Sequence, residues 1–144
     1  MMAVVFLLSF LLNFVWEMWQ MPFFRFTAEQ SYTAMNWMCT RASIGDGLIS
    51  VLAYLTVRYR DDAPDWYRSP GKSQYVVYLS VGVLLTIVLE WINIYLLGRW
   101  DYSPLMPVIP GINVGIIPVL QWLIVPLVLL YVLNQGERRL TMRR

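Results

Sequence analysis

Histidine is absent from this 144-residue chain, cysteine occurs once, at Cys39, and only 14% of residues are charged. Without histidine the usual ligand of zinc, haem and di-iron sites is missing, so redox metal chemistry is disfavoured and no cofactor is expected. One cysteine excludes an internal disulfide. With neither a histidine nor a second thiol available, Cys39 reads as a small buried or interfacial residue rather than a nucleophile. Ordinary soluble domains carry about a quarter charged residues, and this chain falls well short of that. The net charge of +2 is small and sits in loops and tail. It therefore bears on orientation in a membrane, and nucleic acid is not an expected partner. No basic region precedes the opening run MMAVVFLLSFLL, and no small-residue cleavage site follows before Glu17. That run is expected to remain as a span rather than be removed as a signal peptide.

What fills the chain instead is apolar: 58% of residues are hydrophobic and the mean hydropathy is +0.54. Four apolar stretches suggest spans at about 1–20, 41–59, 75–97 and 114–134. Each span needs roughly 20 residues, which leaves room only for short connections. The expected fold is all-α: one transmembrane domain over 1–144, an integral membrane four-helix bundle. The second span is the weakest, since its apolar run is short and interrupted by Asp46.

Basic residues in short loops are retained on the cytoplasmic side. Arg58, Arg60, Arg68, Lys72, Arg138, Arg139, Arg143 and Arg144 fall on one side of this threading, and Arg25, Arg41 and Arg99 on the other. Both termini are therefore predicted to be cytoplasmic, in a multi-pass protein of a bacterial inner membrane. Glu17 and Glu90 then lie roughly 15 residues along outward-running spans, about 22 Å at 1.5 Å per residue. Asp46 and Gln121 lie near the start of inward-running spans, so all four reach the outer half.

Their spacing also suggests a common facing. Asn13, Glu17 and Gln20 fall at i, i+4, i+7, with Trp16 beside them, and Thr86, Glu90 and Asn93 repeat that interval. Ser43, Asp46, Gly47 and Ser50 form a small polar stripe of the kind that lets helices approach closely. An ionisable group within a bilayer segment costs on the order of 2.5 to 3.5 kcal/mol, so several at one depth call for a reason. Three reasons are open. The acids pair with Arg25, Arg41, Arg99 or an amide and fix helix packing; or they form a site for an organic ligand; or they carry protons or cations. The third is weakened because the inner half has no comparable polar trail and no internal repeat is evident.

The stretch GRWDYSPLMPVIPGINVGIIPVLQW holds Pro104, Pro107 and Pro110 close together. Proline fixes the backbone, so this outer connection is expected to be stiff and folded back over the helix ends, either as a lid or as an interfacial link. The segment PFFRFTAEQSYTAMNWMC is expected to lie on the membrane surface. Pro126 is expected to kink the last helix.

Several motifs recur in a group of small bacterial four-span inner-membrane proteins of no established activity, which the chain resembles over nearly its whole length. They are Trp16, Glu17, Met18 and Gln20; Gly45 and Asp46; Glu90, Trp91 and Asn93; Arg99, Trp100, Tyr102, Ser103, Met106 and Pro107; and Gln121, Trp122 and Pro126. Gly98, Trp100 and Tyr102, followed by Pro118 and Pro126, are similar in order to a pattern of the membrane-bound lycopene cyclase domains. Where that family carries acids this chain has Gln121 and Trp122, so a proton donor would have to be Glu17 or Glu90. The resemblance implies polyisoprenoid ligands.

Two functions follow. In the first, the protein is an accessory or binding component of a membrane assembly, touching a membrane lipid or isoprenoid and another membrane protein or a second copy of itself. In the second, it is a cofactor-free enzyme acting on an isoprenoid or lipid. Glu17, Glu90 and Asp46 are then the acid and base groups, with Trp16, Trp91, Trp100 and Trp122 facing cationic character. Asn13, Gln20, Asn93, Arg99, Tyr102 and Gln121 complete the expected ligand-binding set.

Overall fold

A computed structural model of the chain describes the backbone of residues 1–25 and 31–141, and side chains as far as 136. The structure is mostly helical. Helix α1 spans Met2–Gln20, followed by a short 3-10 turn, Met21–Phe23, and strand β1, Phe24–Arg25. Helix α2 covers Tyr32–Arg60, and a second 3-10 turn, Trp66–Arg68, leads to α3, Lys72–Trp91, which continues as a π-helical turn over Ile92–Leu96. Strand β2, Asp101–Tyr102, precedes α4, Ile116–Thr141.

Among the described residues three segments are long and apolar enough to cross a membrane: Met2–Phe23, Lys72–Leu96 and Ile116–Gly136. The remaining helix, α2, has the length, at 29 residues, but not the apolar content. Arg41, Asp46, Arg58 and Arg60 punctuate it, together with a run of serines and threonines.

Helix α2 starts earlier in the chain than the expected second span. The sequence suggested a surface segment up to Cys39, whereas Tyr32 to Cys39 already belong to the helix. Ser31 supplies the reason, since its hydroxyl accepts a hydrogen bond from Ala34 N at 3.2 Å and satisfies one of the orphan donors of the first turn. No proline or glycine then interrupts the chain before Gly45. The expected surface residues 26–30 lie outside the described residues, as do Arg143 and Arg144 of the basic tail, while Arg138 and Arg139 lie on the last turns of α4 beyond the described side chains. Helix α4 runs unbroken through the buried Pro126, which costs one backbone hydrogen bond.

Helix packing runs from α1 to α2, α2 to α3, α3 to α4 and α4 back to α1. Glycines set the close approaches. A Cβ on Gly47 would lie 2.9 Å from the Phe6 ring, and one on Gly82 would run into the Trp122 ring, so α1 meets α2 and α3 meets α4 across glycine.

The two ends of the molecule differ in character. Near the connection between α2 and α3, Tyr54, Trp66, Tyr67 and Tyr78 pack with Val5, Val57 and Leu129 into a dry core. Edge and tilted ring contacts of 5.3 to 6.0 Å hold the four aromatics together. At the opposite end the interior is polar and hollow, and the connection from α3 to α4 folds across it.

That connection is pinned at several points. Strand β2 pairs antiparallel with β1, setting Phe24 opposite Tyr102 and Arg25 opposite Asp101. Ser103 adds two bonds to the exit of α1, its N–H donating to Phe23 O and its hydroxyl to Pro22 O, both at 2.9 Å. Gly98, at φ +55°, turns the chain after the π-helical turn, and Gly111 and Asn113, also at positive φ, close a small hairpin in which Ile109 N donates to Val114 O at 2.8 Å.

Candidate functional site

All four helices and the folded connection line one cavity of about 650 Å³, within the size range of small-molecule sites. Beneath it runs a chain of polar side chains that ends at lining residues. Ser9 and Ser50, both buried, share a hydrogen bond of 2.6 Å where α1 crosses α2. Asn13, one turn further along α1, donates through Nδ2 to both Ser9 O and Ser9 Oγ at 2.9 Å. Its carbonyl oxygen then accepts from Gln121 Nε2 of α4 at 2.8 Å.

Gln121 is the hub. The same Nε2 lies 3.1 Å from Asp46 Oδ2 of α2 and 3.3 Å from Glu17 Oε1 of α1, so one side-chain amide draws three helices together. Glu17 Oε1 also accepts from Gln20 Nε2 at 2.8 Å, and Gln20 Oε1 accepts from the Trp16 indole at 3.1 Å. The i, i+3 and i, i+4 intervals on α1 are what make this ladder possible.

On the other wall, Glu90 of α3 accepts from the Tyr102 hydroxyl at 2.9 Å through Oε2. That hydroxyl in turn accepts from Gly115 N at 2.7 Å. Burial, and then the neighbouring Glu90 carboxylate, push the Tyr102 phenol well above its usual range, so it remains protonated and a donor to Glu90. Gly115 has no room for a side chain, as a Cβ there would lie 2.8 Å from Met106 Sδ and 3.1 Å from the Tyr102 ring. The close packing fixes the Tyr102 hydroxyl over Glu90.

Beyond Glu90 the π-helical turn brings Asn93 round. Its Nδ2 donates to Leu89 O at 2.7 Å and its Oδ1 accepts from Arg99 at 3.0 Å, while Arg99 N donates to Asn93 O at 2.9 Å. Single π-turns of this kind often mark functional positions.

The site residues expected from sequence divide into three groups. Glu17, Gln20, Asp46, Glu90, Asn93, Arg99, Trp100, Gln121 and Trp122 line the cavity. Asn13, Trp16 and Tyr102 stand behind it and hold lining residues by hydrogen bonds. Trp91 belongs to neither group. It is 46% exposed and packs on Tyr95 at 5.8 Å, because the residue next to Glu90 is rotated about 100° around the helix and faces outward.

The proposed pairing of acids with arginines is also absent. The amide partners are present, but among the described residues neither Glu17, Asp46 nor Glu90 lies within ion-pair distance of Arg25, Arg41 or Arg99. Residues missed from the candidate set include Arg41, which lines the cavity from the first turns of α2, and the serines beneath it, Ser9 and Ser50. Arg41, at the edge of the expected span, reads in the sequence only as a partner for the acids and Ser50 only as part of a helix-packing stripe, while Ser9 carries no signal. No group of three His, Cys, Asp or Glu able to hold a metal ion is found among the described residues.

The arrangement can bind a molecule with polar and apolar parts. The acids and amides meet Met21, Phe24, Ile49, Leu89 and Trp122 across the same space. No protein-family model, curated protein or solved structure matches the chain.

Proposed function

We propose that the protein is a four-helix bundle in a bacterial inner membrane, with α2 as its fourth span and both termini cytoplasmic. It works as the binding component of a membrane assembly, holding an amphiphilic lipid or isoprenoid in its outer half. One observation carries this reading: a cavity of about 650 Å³ lies among all four helices, with an acid and amide floor and an apolar wall. Helix α2 fits the interior because its polar stripe, Ser43, Asp46, Gly47 and Ser50, meets the other helices or the cavity, while Ile44, Leu48 and Leu52 point outward. A segment screened on both sides in this way can cross with less apolar content than a helix bathed in lipid.

Purification in mild detergent, with mass spectrometry of whatever travels with the protein, tests this. A lipid or isoprenoid should remain bound through extraction and disappear in Ala42→Trp, which fills the cavity from α2. Retention of no amphiphile above the level of an unrelated membrane protein prepared alongside overturns the reading. A co-purifying membrane protein or a second copy would identify the rest of the assembly.

A second reading, acid-base catalysis on that lipid or isoprenoid, is favoured by the three carboxylates, Glu17, Asp46 and Glu90, that line one cavity. Here Glu90 or Glu17 protonates the substrate and Asp46 accepts a proton. Comparing the lipids of a deletion strain complemented with wild type or Glu90→Gln decides it. A profile unchanged by deletion removes the catalytic reading.

A further inference from the structure

The cavity carries both signs of charge and keeps them apart. Arg41 and Arg99 line it together with Glu17, Asp46 and Glu90, yet no arginine and carboxylate among them form an ion pair. Both arginines are exposed whereas the three carboxylates are partly buried, so the two signs of charge sit in different surroundings.

The separation is layered. On α2, Arg41 precedes Asp46 by five residues, an axial step of about 7.5 Å at 1.5 Å per residue. On the opposite wall Arg99 hydrogen-bonds to Asn93, about one turn beyond Glu90. The two walls run in opposite directions, and on both the arginine stands on the side of the Trp100 connection and the acid deeper in.

Each layer also has unused capacity. Glu17 and Asp46 spend one carboxylate oxygen on Gln121, and Glu90 spends one on Tyr102. The second oxygens, Glu17 Oε2, Asp46 Oδ1 and Glu90 Oε1, accept no hydrogen bond among the described residues. On the donor side, Trp100 Nε1 is buried and approaches the Glu90 carboxylate, but meets no acceptor at hydrogen-bond geometry among the described residues. Buried donors of this kind usually have a partner.

We propose that the cavity receives a zwitterionic headgroup of the phosphoethanolamine type, with its phosphate at the arginine layer and its primary ammonium at the carboxylate layer. This rests on the reading of the cavity as a lipid site. Arginine guanidinium groups suit a phosphate. A primary ammonium has N–H donors to give to the free carboxylate oxygens, whereas a quaternary ammonium has none. A purely anionic headgroup would meet three carboxylates at the floor, and a divalent cation finds no cluster able to grip it among the described residues. The aromatic rings of Trp100, Trp122 and Phe24 offer further attraction to an ammonium.

Titration calorimetry on the protein in a non-ionic, amine-free detergent tests the assignment, with dihexanoyl phosphatidylethanolamine, phosphatidylcholine and phosphatidylglycerol as probes. Phosphatidylethanolamine should bind at least roughly tenfold tighter than either of the others, the scale of one charge-assisted contact. Asp46→Asn and, independently, Glu90→Gln should each remove that preference, weakening phosphatidylethanolamine but not phosphatidylglycerol. Arg41→Gln should weaken all three lipids. Equal affinity for all three lipids, or a preference untouched in both carboxylate variants, overturns the proposal. Free phosphoethanolamine as a fourth probe assigns the source: affinity matching the lipid identifies a soluble ligand, and weaker affinity identifies a lipid. Lipid retained without headgroup preference sinks this inference alone, whereas retention of no lipid sinks the cavity reading with it.

Discussion

Gln121 shows how much one side chain contributes to the site. Its amide nitrogen is within hydrogen-bond distance of Asn13, Asp46 and Glu17, and the Asn13 oxygen it serves belongs to a buried residue. Gln121→Leu preserves volume but orphans that acceptor, so a loss of about 1–3 kcal/mol is expected, read as a lower unfolding temperature in detergent. Gln121→Glu should do worse, since a third carboxylate is added to the pair it now bridges. Asp61 gives a prediction of the opposite kind. Its bidentate contact with Arg60, at 2.6 and 2.9 Å, and a bond from Gln74 at 3.0 Å hold its carboxyl below the usual range. A depressed carboxyl stabilises the fold above its unfolded value, about 3.9, and loses that contribution as pH falls through the folded value. Melting curves of wild type and Asp61→Asn should therefore differ above about pH 4 and converge in stronger acid, with only a small gap because the pair is exposed. At this scale the sequence was informative where a residue was out of keeping with its surroundings. Glu17, Asp46, Glu90 and Gln121 stood out in apolar stretches and Ser50 in a polar stripe, whereas Ser9, the hydrogen-bond partner of Ser50, did not.

Among the elements, α1, α3 and α4 were legible because long apolar runs read the same way in isolation and in the folded chain. Helix α2 was only half legible. Its apolar run begins after Asp46, but the helix begins at Tyr32, and what extends it is a serine cap rather than hydrophobicity. The π-helical turn at Ile92–Leu96 left no signal at all, since a backbone that winds one residue looser does so under tertiary constraint. Glycine controls the packing of α3 on α4. Gly82→Leu collides with the six-membered ring of Trp122, so the indole must leave its buried place or the helices must part. The expected outcome is a fall in stability of roughly 1–3 kcal/mol, as for overpacked cores. With the other tryptophans replaced by phenylalanine, a red shift of Trp122 emission should accompany it. Gly45→Ala, where a Cβ meets nothing within 4 Å, serves as the tolerant control.

For the molecule as a whole, the sequence conveyed the membrane character and an uneven charge distribution, but not the hollow end, which exists only once four helices and a loop converge. Sidedness can be tested directly. Single cysteines at Ser73 and Asp101, in a Cys39→Ala background, should react oppositely with a membrane-impermeant maleimide in intact cells: position 101 labels at once and position 73 only after the membrane is opened. The reverse pattern would invert the orientation while leaving the fold untouched. The seam between β1 and β2, reinforced by Ser103 on Pro22 and Phe23, has a mechanical consequence. The roof over the hollow end is riveted to the tip of the first helix, so it cannot swing aside as a door without pulling that helix with it. If the cavity holds a lipid, as proposed above, its guest would exchange through the flanks, in the plane of the bilayer, as at a berth rather than through a gate facing water.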